Sequence, residues 1–432
     1  MPTATAGPAP ARRVKAAEPP PAYETYLAPP PPKDGRLIGV DCHPDLFTAA
    51  VFTGQSVHDA RKLGVRENLS LEAFLAWAAQ DFGPKDLFLL EASANSFEIV
   101  YRLHALGRQA VVLESAYVGK HASNYKDNDK LAAARIALVY LGNRVPCVWV
   151  PDERTRQRRE LLNAYTKAVS DHTAAGNQLK GYLNEQGIRL GKRNPSQPAT
   201  RAWVEGRRAW SAVQLQLLDE AFSGLAESNA RRARLCRLVA EEVSQEPLML
   251  RTMKLLGIGI INAFAILAVV GDVRRFAQPQ KLAAYLGLNP GEKRSGKSKE
   301  IKIGIGRRGR GDLRQLLVQA AQAILRRGQA TALGKWGWKL FARKGHRNIA
   351  IGAVARKLAM QVWHVLMGNP PTLLEAGKGL TVKLRKLAVI LGPKRRAELG
   401  LGTGLLASIA RLRQRFAELP EEPLTSAPPG PV

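Results

Sequence analysis

The order in which strand-like and helix-like segments follow one another constrains the fold of this chain more than any other feature. From residue 36 to residue 151, short apolar runs alternate with segments whose apolar residues recur every three or four positions. "RLIGVD" and "LFTAAVF" are typical of two paired strands, and "DLFLLE", "QAVVLE" and "CVWV" of three further strands. "LSLEAFLAWAAQ", "SFEIVYRLHALG" and "DKLAAARIALVYLG" have helical spacing. Strands that alternate with helices predict an α/β sheet domain over residues 36–151.

The pattern becomes entirely helical from residue 152 to residue 250. Apolar residues there follow alternating steps of three and four in two long runs, which predicts two long helices packed as a coiled-coil hairpin. Two neighbouring helices of one compact bundle would produce the same spacing, so that alternative stays open. Asn229 and Arg232 fall within the second run, where polar residues can fix the register or a dimer partner. The runs comprise Leu162, Tyr165, Val169, His172, Gly176, Leu179 and Leu183, and then Leu215, Leu218, Phe222, Leu225, Asn229, Arg232, Cys236, Val239 and Val243.

The other segments predict a compact helical domain and basic or proline-rich ends. Residues 251–370 open with "LLGIGIINAFAILAVVGD" and close with the amphipathic "NIAIGAVARKLAMQVWHVLM", which is expected to be a core helix. Residues 1–35 are rich in proline and alanine and have few side chains to bury, which is typical of a disordered arm. Residues 371–432 are expected to form a basic helical extension followed by a disordered tail.

The charge of the chain indicates the kind of partner it binds. Its 65 Lys and Arg outnumber its 36 Asp and Glu, so the formal net charge of +29 favours a polyanion such as nucleic acid. No membrane partner is expected, because no run approaches the roughly 18 apolar residues of a spanning helix. No secretory signal is expected, because the N-terminus lacks a compact apolar segment. The three cysteines are far apart and form no CxxC, which excludes a disulfide framework and suits a reducing cytoplasm. The seven histidines are scattered, which gives a histidine-based metal site little support.

Three carboxylates stand where an α/β sheet would bring them together. Asp41 ends the strand "LIGVD", Glu91 ends the strand "LFLLE", and Asp129 begins a helix, with Asp127 two residues before it. Acids at the carboxyl ends of strands converge on one edge of a sheet, where they can hold divalent cations that clamp a phosphodiester. Magnesium suits such a site because it prefers hard oxygen ligands and keeps bound waters. Each acid taken alone also fits the cap of a turn or helix, so spacing by itself leaves both interpretations open.

A second candidate site lies in "LNPGEKRSGKSKEIKIGIGRRGRGDLR", residues 288–314, which contains nine Lys or Arg, six Gly and two Ser. Ser295 stands between Arg294 and a glycine in the middle of this charge, where a hydroxyl can attack a phosphate. A solvated loop that binds phosphates without sequence preference is the alternative. Gly257 and Gly259 of "LGIG" indicate a helix-hairpin-helix turn whose backbone N–H groups approach a phosphate, or else an ordinary helix connection. The cations expected to contact the nucleic-acid backbone are Lys293, Arg294, Lys297, Lys299, Lys302, Arg307, Arg308, Arg310 and Arg314.

These motifs resemble those of the DEDD transposases of the insertion sequence 110 family and of the related Piv-type DNA invertases. The resemblance covers residues 36–370: "IGVDCHPDLFTAAVF", "LLEASANSFEIVYRLHALG" and "NDKLAAARIA" are similar to the N-terminal domain, and "GLNP" followed by Ser295 to the C-terminal domain. It implies a RuvC-like, RNase H-type sheet domain in which Asp41, Glu91 and Asp129 hold magnesium. It also implies a long helical coiled-coil hairpin and a compact helical transposase domain in which Ser295 is the nucleophile.

The same resemblance implies partners and an assembly. A structured noncoding RNA would pair with target and donor DNA, so that base pairing reads the sequence while the protein reads the shape of the RNA. The absence of any zinc finger or leucine-zipper basic region in the sequence fits that division. Protomers that share active sites would form a dimer or a tetramer, and the chain would act as a DNA transposase or recombinase.

One position departs from the pattern of the family. The family has a fourth acid three residues after the third, and this chain has Ala132 there. Asp127 in the preceding loop is a candidate substitute, although a residue two places before a helix does not share a face with one three places into it. Loss of one carboxylate weakens or removes one metal site, so a relative that binds RNA and DNA without recombining them is an alternative. A RuvC-type junction nuclease is a third interpretation, which predicts activity without Ser295.

Overall fold

The computed structural model of the chain describes residues 28–120, 128–142, 145–293, 301–305, 309–327, 331–368 and 378–417. The chain divides after Val150 into two compact units. In the described residues, the first unit is a sheet covered by helices, and the second is built mainly from helices. The predicted combination of an α/β part and an α part is therefore confirmed.

A six-stranded sheet forms the centre of the first unit. Its strands are β1 (Leu37–Cys42), β2 (Phe47–Thr53), β3 (Arg61–Leu69), β4 (Leu87–Glu91), β5 (Gln109–Leu113) and β6 (Cys147–Val148), in the order β3-β2-β1-β4-β5-β6. β1 pairs antiparallel with β2 and parallel with β4, β4 pairs parallel with β5, and β6 pairs antiparallel with β5. The predicted pairing of "RLIGVD" with "LFTAAVF" is confirmed, and β1 lies between an antiparallel and a parallel neighbour.

Helices cover both faces of this sheet because its central strands bury side chains on both. The helices are α1 (Leu71–Asp81), α2 (Ser96–Ala105), α3 (Ser115–Gly119) and α4 (Asp129–Gly142). On one face, Phe74 of α1 and Ile99 of α2 belong to the same core cluster as Phe88 of β4. On the other face, Ala137 of α4 belongs to a cluster with Leu89 of β4. The sheet is thus the middle layer of three.

Gly39 in the middle of β1 lets α4 lie directly on the sheet. Side chains along a strand point to alternate faces, so Leu37 and Gly39 face α4. Ile38 and Val40 face α1 and α2. A Cβ atom on Gly39 would lie 2.1 Å from the carbonyl oxygen of Ala133, which is closer than real Cβ contacts come. The missing side chain therefore sets how closely the first turns of α4 approach β1.

Gly39→Ala is expected to lower the free energy of unfolding by about 3 kcal/mol, because an added methyl group in a closely packed contact forces the backbone apart. Gly64→Ala is the matched control, since Gly64 also lies in a strand but a Cβ atom there would meet no atom within 4 Å. Urea denaturation followed by circular dichroism measures both variants. Equal urea midpoints for the two variants would show that α4 and β1 can accommodate a methyl group at position 39.

The strand β3 is absent from the sequence prediction. Seven of its nine residues are exposed, and its charged side chains, such as Arg61, Lys62, Arg66 and Glu67, limit the apolar alternation to Leu63 and Val65. β3 joins the sheet at its edge through backbone pairing with β2. Charged side chains are common on edge strands, where they discourage pairing with other chains. Side-chain pattern alone therefore does not identify this strand.

Two helices of more than 30 residues open the second unit. The elements here are α5 (Glu153–Glu185), α6 (Pro198–Glu205) and α7 (Ala212–Gln245). The Asp152 side chain caps α5 by accepting a hydrogen bond of 2.8 Å from the backbone N–H of Thr155. α7 begins with a capping box in which Ser211 and Gln214 each accept a hydrogen bond from the other's backbone N–H. Both caps satisfy backbone donors that a helix start otherwise leaves free.

Half of the sixteen residues assigned to the predicted seam between the two long helices are buried. The buried members are Leu162, Leu179, Leu183, Leu218, Phe222, Leu225, Val239 and Val243. Val169 and Leu215, which the spacing also assigned to the seam, are exposed, and Ala168 is buried. Arg232 donates a hydrogen bond of 2.8 Å to Asn229, so these two polar residues pair with each other within α7. α5 and α7 pack along each other, while coiled-coil geometry stays a prediction.

In its described residues, the rest of the second unit is mainly helical and contains one β-hairpin. Its helices are α8 (Pro247–Thr252), α9 (Ile260–Val270), α10 (Pro279–Tyr285), α11 (Gly311–Arg326), α12 (Ala332–Lys344), α13 (Arg347–Leu366), α14 (Lys378–Glu398) and α15 (Leu405–Ala417). β7 (Pro290–Lys293) and β8 (Ile301–Ile305) form an antiparallel pair that the helical prediction missed. α13 is long and apolar enough to cross a membrane by length and composition, but 56% of that stretch is buried. It packs against α10, α11 and α12, as predicted for a core helix.

The helices α14 and α15 pack against earlier helices of the second unit. Lys383 of α14 donates hydrogen bonds of 2.8 Å and 2.9 Å to the carbonyl oxygens of Met253 and Leu255, in the turn that follows α8. Arg395 lies 2.8 Å from the carboxylate of Glu241 in α7. These two cations of the predicted basic extension are therefore held by the protein itself.

Candidate functional site

Asp41 and Glu91 lie side by side at one edge of the sheet. The parallel register of β1 and β4 pairs Val40 with Leu90, so Asp41 and Glu91 are the next residues on neighbouring strands. Neighbouring strands lie about 4.8 Å apart. Leu89 is buried on the face that carries α4, and strand alternation places Glu91 on that same face. The same alternation places Asp41 there.

Asp129 reaches this edge from α4, together with a histidine that the sequence did not single out. Asp129 is the first residue of α4, and the Asn128 side chain caps the helix by accepting a hydrogen bond of 2.9 Å from the backbone N–H of Leu131. The Nε2 atom of His43 lies 3.5 Å from an Asp41 carboxylate oxygen and 3.5 Å from an Asp129 carboxylate oxygen. One possible ligand atom from each of the three residues lies within 4.8 Å of the other two.

His43 is held in place through its backbone. Its N–H donates a hydrogen bond of 3.1 Å to the carbonyl oxygen of Leu46, which closes the turn between β1 and β2. Its carbonyl oxygen accepts a hydrogen bond of 3.1 Å from the side chain of Asn95, just before α2. The scattered histidines gave no sequence signal for this role. The only hint in the sequence is that His43 stands two residues after Asp41, the spacing that places side chains on the same face of a strand.

The cluster is open to solvent on one side. The side chains of His43 and Asp129 are 54% and 53% exposed, whereas that of Asp41 is 23% exposed. Burial raises the pKa of the Cys42 thiol, and the nearby Asp41 carboxylate raises this pKa further, so Cys42 stays protonated. A protonated thiol is a poor metal ligand. The donors at this edge are therefore carboxylate oxygens and one imidazole nitrogen.

This donor set fits a divalent cation. Carboxylate oxygens suit magnesium or manganese, and imidazole is accepted by manganese and the later transition metals. The Nε2 atom of His43 lies 3.5 Å from each of the two carboxylates, which is less than twice the distance of about 2.0–2.2 Å at which such ions bind, so one ion can reach the histidine and a neighbouring carboxylate. Like charges held this close without a cation would repel one another. The arrangement can hold a metal ion at an accessible edge, where a phosphate group could join the coordination sphere.

The position of the missing fourth acid lies close to this cluster. Ala132 is one turn beyond Asp129 on α4 and is half-buried, so the two residues share a face of the helix. Ala132 has no ligand atom in its side chain. The candidate substitute Asp127 lies outside the described residues. Among the described residues near this edge, His43 offers a further ligand atom, an imidazole nitrogen close to both Asp41 and Asp129.

The two glycines of "LGIG" differ in their surroundings. Gly257 has a φ of +81°, and a Cβ atom there would lie 3.0 Å from the carbonyl oxygen of Ala320 in α11. This conformation and this close contact explain a glycine at position 257 through packing, and contact of its backbone with a phosphate stays a prediction. Gly259 is the N-cap of α9, and a Cβ atom there would meet nothing within 4 Å. Of the two predicted phosphate contacts, only Gly259 borders open space.

The basic serine segment connects β7 to β8. Lys293 pairs with Ile301 in this hairpin, and residues 294–300, which include Ser295, Arg294, Lys297 and Lys299, lie outside the described residues. Arg307 and Arg308 also lie outside them, and only the backbones of Lys293 and Lys302 are described. Arg310 binds Asp312 through two hydrogen bonds of 3.2 Å and 2.7 Å, so part of its charge is already neutralised. Arg314 donates a weak hydrogen bond of 3.4 Å to the carbonyl oxygen of Gly287.

Known proteins that resemble this chain are transposases. Residues 249–334 match the family described as Transposase IS116/IS110/IS902. The chain is 28% identical over 292 residues to a Pseudomonas aeruginosa protein named "Probable family 20 transposase", covering 66% of this chain and 84% of that protein. It is 25% identical over 353 residues to the transposase for insertion sequence element IS1111A of Coxiella burnetii, covering 77% of this chain and 90% of that protein. It is also 25% identical over 339 residues to the transposase for insertion sequence element IS1328 of Yersinia enterocolitica, covering 76% and 96%.

Proposed function

We propose that this chain acts as a transposase of the IS116/IS110/IS902 family and recombines DNA by metal-assisted attack of Ser295 on a phosphodiester. One observation carries the proposal: the two units of the chain contain residues of complementary chemistry. The matched segment 249–334 contains a serine among nine cations, and the first unit gathers carboxylates at an exposed sheet edge. A hydroxyl nucleophile needs activation, and a cation beside the phosphate supplies it.

The acids have a defined task in this proposal. Asp41, Glu91 and Asp129 would hold magnesium at the carboxyl edge of an RNase H-type sheet. A bound magnesium ion would offset negative charge on the phosphate oxygens as the transition state forms. The strand register fixes Asp41 and Glu91 on rigid neighbouring strands, and the N-cap at Asn128 fixes the start of the helix that carries Asp129. Rigid placement of ligands is what a metal site of this kind requires.

Ser295 carries the covalent step. Its Oγ atom would form a bond to phosphorus while the bond from phosphorus to one deoxyribose oxygen breaks, the serine proton passes to solvent, and the leaving oxygen takes up a proton from solvent. The product is a phosphoserine linkage and one free strand end. A strand end from the second DNA site would then attack that phosphorus, join the two DNAs and release the Ser295 hydroxyl. The cations around Ser295 would bind the phosphate backbone and reduce repulsion during attack.

We further propose that a structured noncoding RNA selects the DNA sites, and that protomers in a dimer or tetramer share active sites. These proposals follow from the resemblance to the insertion sequence 110 family. Lysines and arginines that bind the phosphate backbone would supply affinity rather than sequence choice, which would leave the choice of site to the RNA. The test is a plasmid carrying the two ends of the element, incubated with purified protein, magnesium and RNA transcribed from the DNA that flanks the gene. A joined junction between the sites, dependent on all three additions, is the expected product.

His43 is proposed as the ligand that takes over from the missing fourth acid. Its Nε2 atom already lies 3.5 Å from both Asp41 and Asp129, while Ala132 offers no donor. A nitrogen ligand favours manganese over magnesium more than a fourth carboxylate would. The chain would therefore bind manganese tightly and magnesium more weakly than a four-carboxylate site.

His43→Ala is expected to weaken manganese binding by about tenfold or more, since loss of groups around a metal typically costs that much affinity. Isothermal titration calorimetry measures the affinity without any DNA, and electron spin resonance of bound manganese reports nitrogen coupling that the variant should lose. His58→Ala is the matched control, because His58 lies in the same unit outside the cluster. Unchanged affinity and nitrogen coupling in His43→Ala would remove His43 from the site.

One specific observation, Ala132, favours a second function: a relative that binds RNA and DNA but no longer recombines them. Restoring the acid separates the two functions. If the natural chain forms junctions, the second function is excluded. If junctions form only after Ala132→Asp, the natural chain is an inactive binder and His43 does not compensate for the lost acid.

A further inference from the structure

The connection at the end of the long helical pair has a different charge from the helices themselves. This hairpin tip, residues 186–211, contains six Lys or Arg and one acid, Glu205. The two helices α5 and α7 together contain ten Lys or Arg and nine Asp or Glu. Within the helices, several cations pair with acids, as Lys167 and Arg231 both do with Asp171. The excess positive charge of the pair is therefore concentrated at its tip.

Two arginines of the tip stack on one tryptophan. The guanidinium carbon of Arg193 lies 3.8 Å from the ring centroid of Trp203, and that of Arg207 lies 4.1 Å from it. Trp203 itself packs against a buried cluster that includes Leu183 and Val204. The indole is thus fixed by the core of the tip, and both guanidinium groups are held at its surface. Stacking of this kind presents the N–H donors of arginine outward in a fixed plane.

These two arginines have no acidic counterpart among the described residues. No carboxylate there forms an ion pair with Arg193 or Arg207, and both are exposed. The two groups are at most about 8 Å apart because each lies about 4 Å from the same ring, and at that separation their repulsion in water is about 0.5 kcal/mol. Each of the two cation–π contacts contributes about 0.5–1 kcal/mol at an exposed site, so stacking outweighs this repulsion and holds both arginines without an acid beside them. By contrast, Arg201 of the same tip is neutralised by Glu205 and Asp219.

The tip is far from the compact helical part of its own unit. Arg159, near the start of α5, donates hydrogen bonds of 3.0 Å to the carbonyl oxygens of Ala268 and Val269 in α9. From Arg159 to the end of α5 the helix rises about 40 Å, at about 1.5 Å per residue. That distance exceeds one turn of a DNA duplex, which is about 34–36 Å. A duplex or folded RNA bound at α9 and β7–β8 could therefore be contacted again at the tip.

We infer that the hairpin tip is a separate binding surface for the phosphate backbone of nucleic acid, with Arg193 and Arg207 as its fixed donors and Arg189, Lys192 and Arg208 around them. The proposal goes beyond the recombination chemistry, because it assigns a role to a part of the chain that contains neither the acids nor Ser295. DNA and RNA backbones share the chemistry that this surface recognises. Guanidinium groups bind phosphates through paired N–H donors, which suits either.

The test is binding of a labelled 40-base-pair DNA duplex, and separately of an RNA hairpin of similar length, in EDTA over a range of salt concentrations. R193A/R207A is compared with K167A/R231A, which also removes two positive charges, but from the long helices instead of the tip. Two lost phosphate contacts should reduce the slope of log affinity against log salt by about 1.8 and weaken binding about 30-fold at 0.15 M salt. R193K/R207K keeps the charge, and its binding should stay closer to that of the natural chain.

Each outcome of this test has a defined meaning. A selective loss on DNA, on RNA or on both supports the surface and identifies which backbone it contacts. Equal affinity and slope for R193A/R207A and K167A/R231A, with circular dichroism showing both folded, would overturn it. EDTA removes the metal, so these results do not depend on catalysis. If the natural chain fails to recombine DNA while R193A/R207A still loses nucleic-acid affinity selectively, the proposed recombination chemistry is contradicted and the binding surface at the tip is supported.

Discussion

Asp41→Asn is expected to reduce formation of the joined DNA junction by about a thousandfold or more. The substitution keeps the size of the side chain but removes the charge that lies 3.5 Å from His43 at the sheet edge. A metal ion contributes several kcal/mol of transition-state stabilisation, and each 1.36 kcal/mol corresponds to a factor of ten in rate. Quantitative PCR across the junction measures the product, with protein, guide RNA and magnesium held constant.

Asp45→Asn is the control for this prediction. Asp45 lies in the same turn, is exposed and stands outside the cluster, so the variant loses an equal charge without touching the ligands. It should recombine DNA within a few-fold of the natural chain, and both variants should bind DNA equally. If Asp45→Asn lost as much activity as Asp41→Asn, the general charge of the turn rather than metal binding would explain the effect.

Ser295→Ala should abolish junction formation, with a loss of about four or more orders of magnitude, because removal of a nucleophile leaves no other route to the covalent linkage. DNA and RNA affinity should change little, since a single neutral hydroxyl contributes little beside nine cations. The same junction assay and a filter-binding assay measure the two properties on one preparation.

Ser298→Ala is the matched control, because Ser298 lies three residues away in the same basic segment but outside the family motif. It should retain activity. Strand cleavage that survives Ser295→Ala and still requires Asp41 would instead support a RuvC-type junction nuclease, in which water attacks the phosphate. Loss of activity in both serine variants would indicate that the segment acts through its conformation rather than through one hydroxyl.

The sheet of the first unit was predictable because its central strands are apolar over their whole length. Ile38, Val40, Phe88 and Leu90 are buried, and such runs are typical of strands covered on both faces. The edge strand β3 was not predictable, since backbone pairing holds it and most of its side chains are exposed. The β7–β8 hairpin was missed for a similar reason. β8 alternates isoleucine with Lys and Gly, but its partner β7, Pro290–Lys293, has no apolar residue that would indicate a strand apart from the proline, which strands disfavour.

The position of the acids in the candidate site was predictable from the sequence, but the presence of His43 beside them was not. Asp41 and Glu91 end apolar strands, so their position at one edge follows from parallel pairing. His43 joins Asp41 and Asp129 only because the turn after β1 folds back and α4 lies close over Gly39. Both conditions depend on tertiary packing, which leaves no periodic mark in the sequence. Gly257 illustrates the converse, because a glycine expected to approach phosphate is required by its contact with α11.

The joint action of the acids and Ser295 on one phosphate is tested most directly by the covalent intermediate. The natural chain, incubated with guide RNA, magnesium and a DNA nicked to trap the linkage, should yield a nucleotide attached to Ser295 by mass spectrometry. The linkage should disappear in Asp41→Asn and persist in Asp45→Asn. An adduct that forms on Ser295 equally well without the Asp41 carboxylate would contradict a shared site, as would robust recombination by the natural chain with no adduct on Ser295.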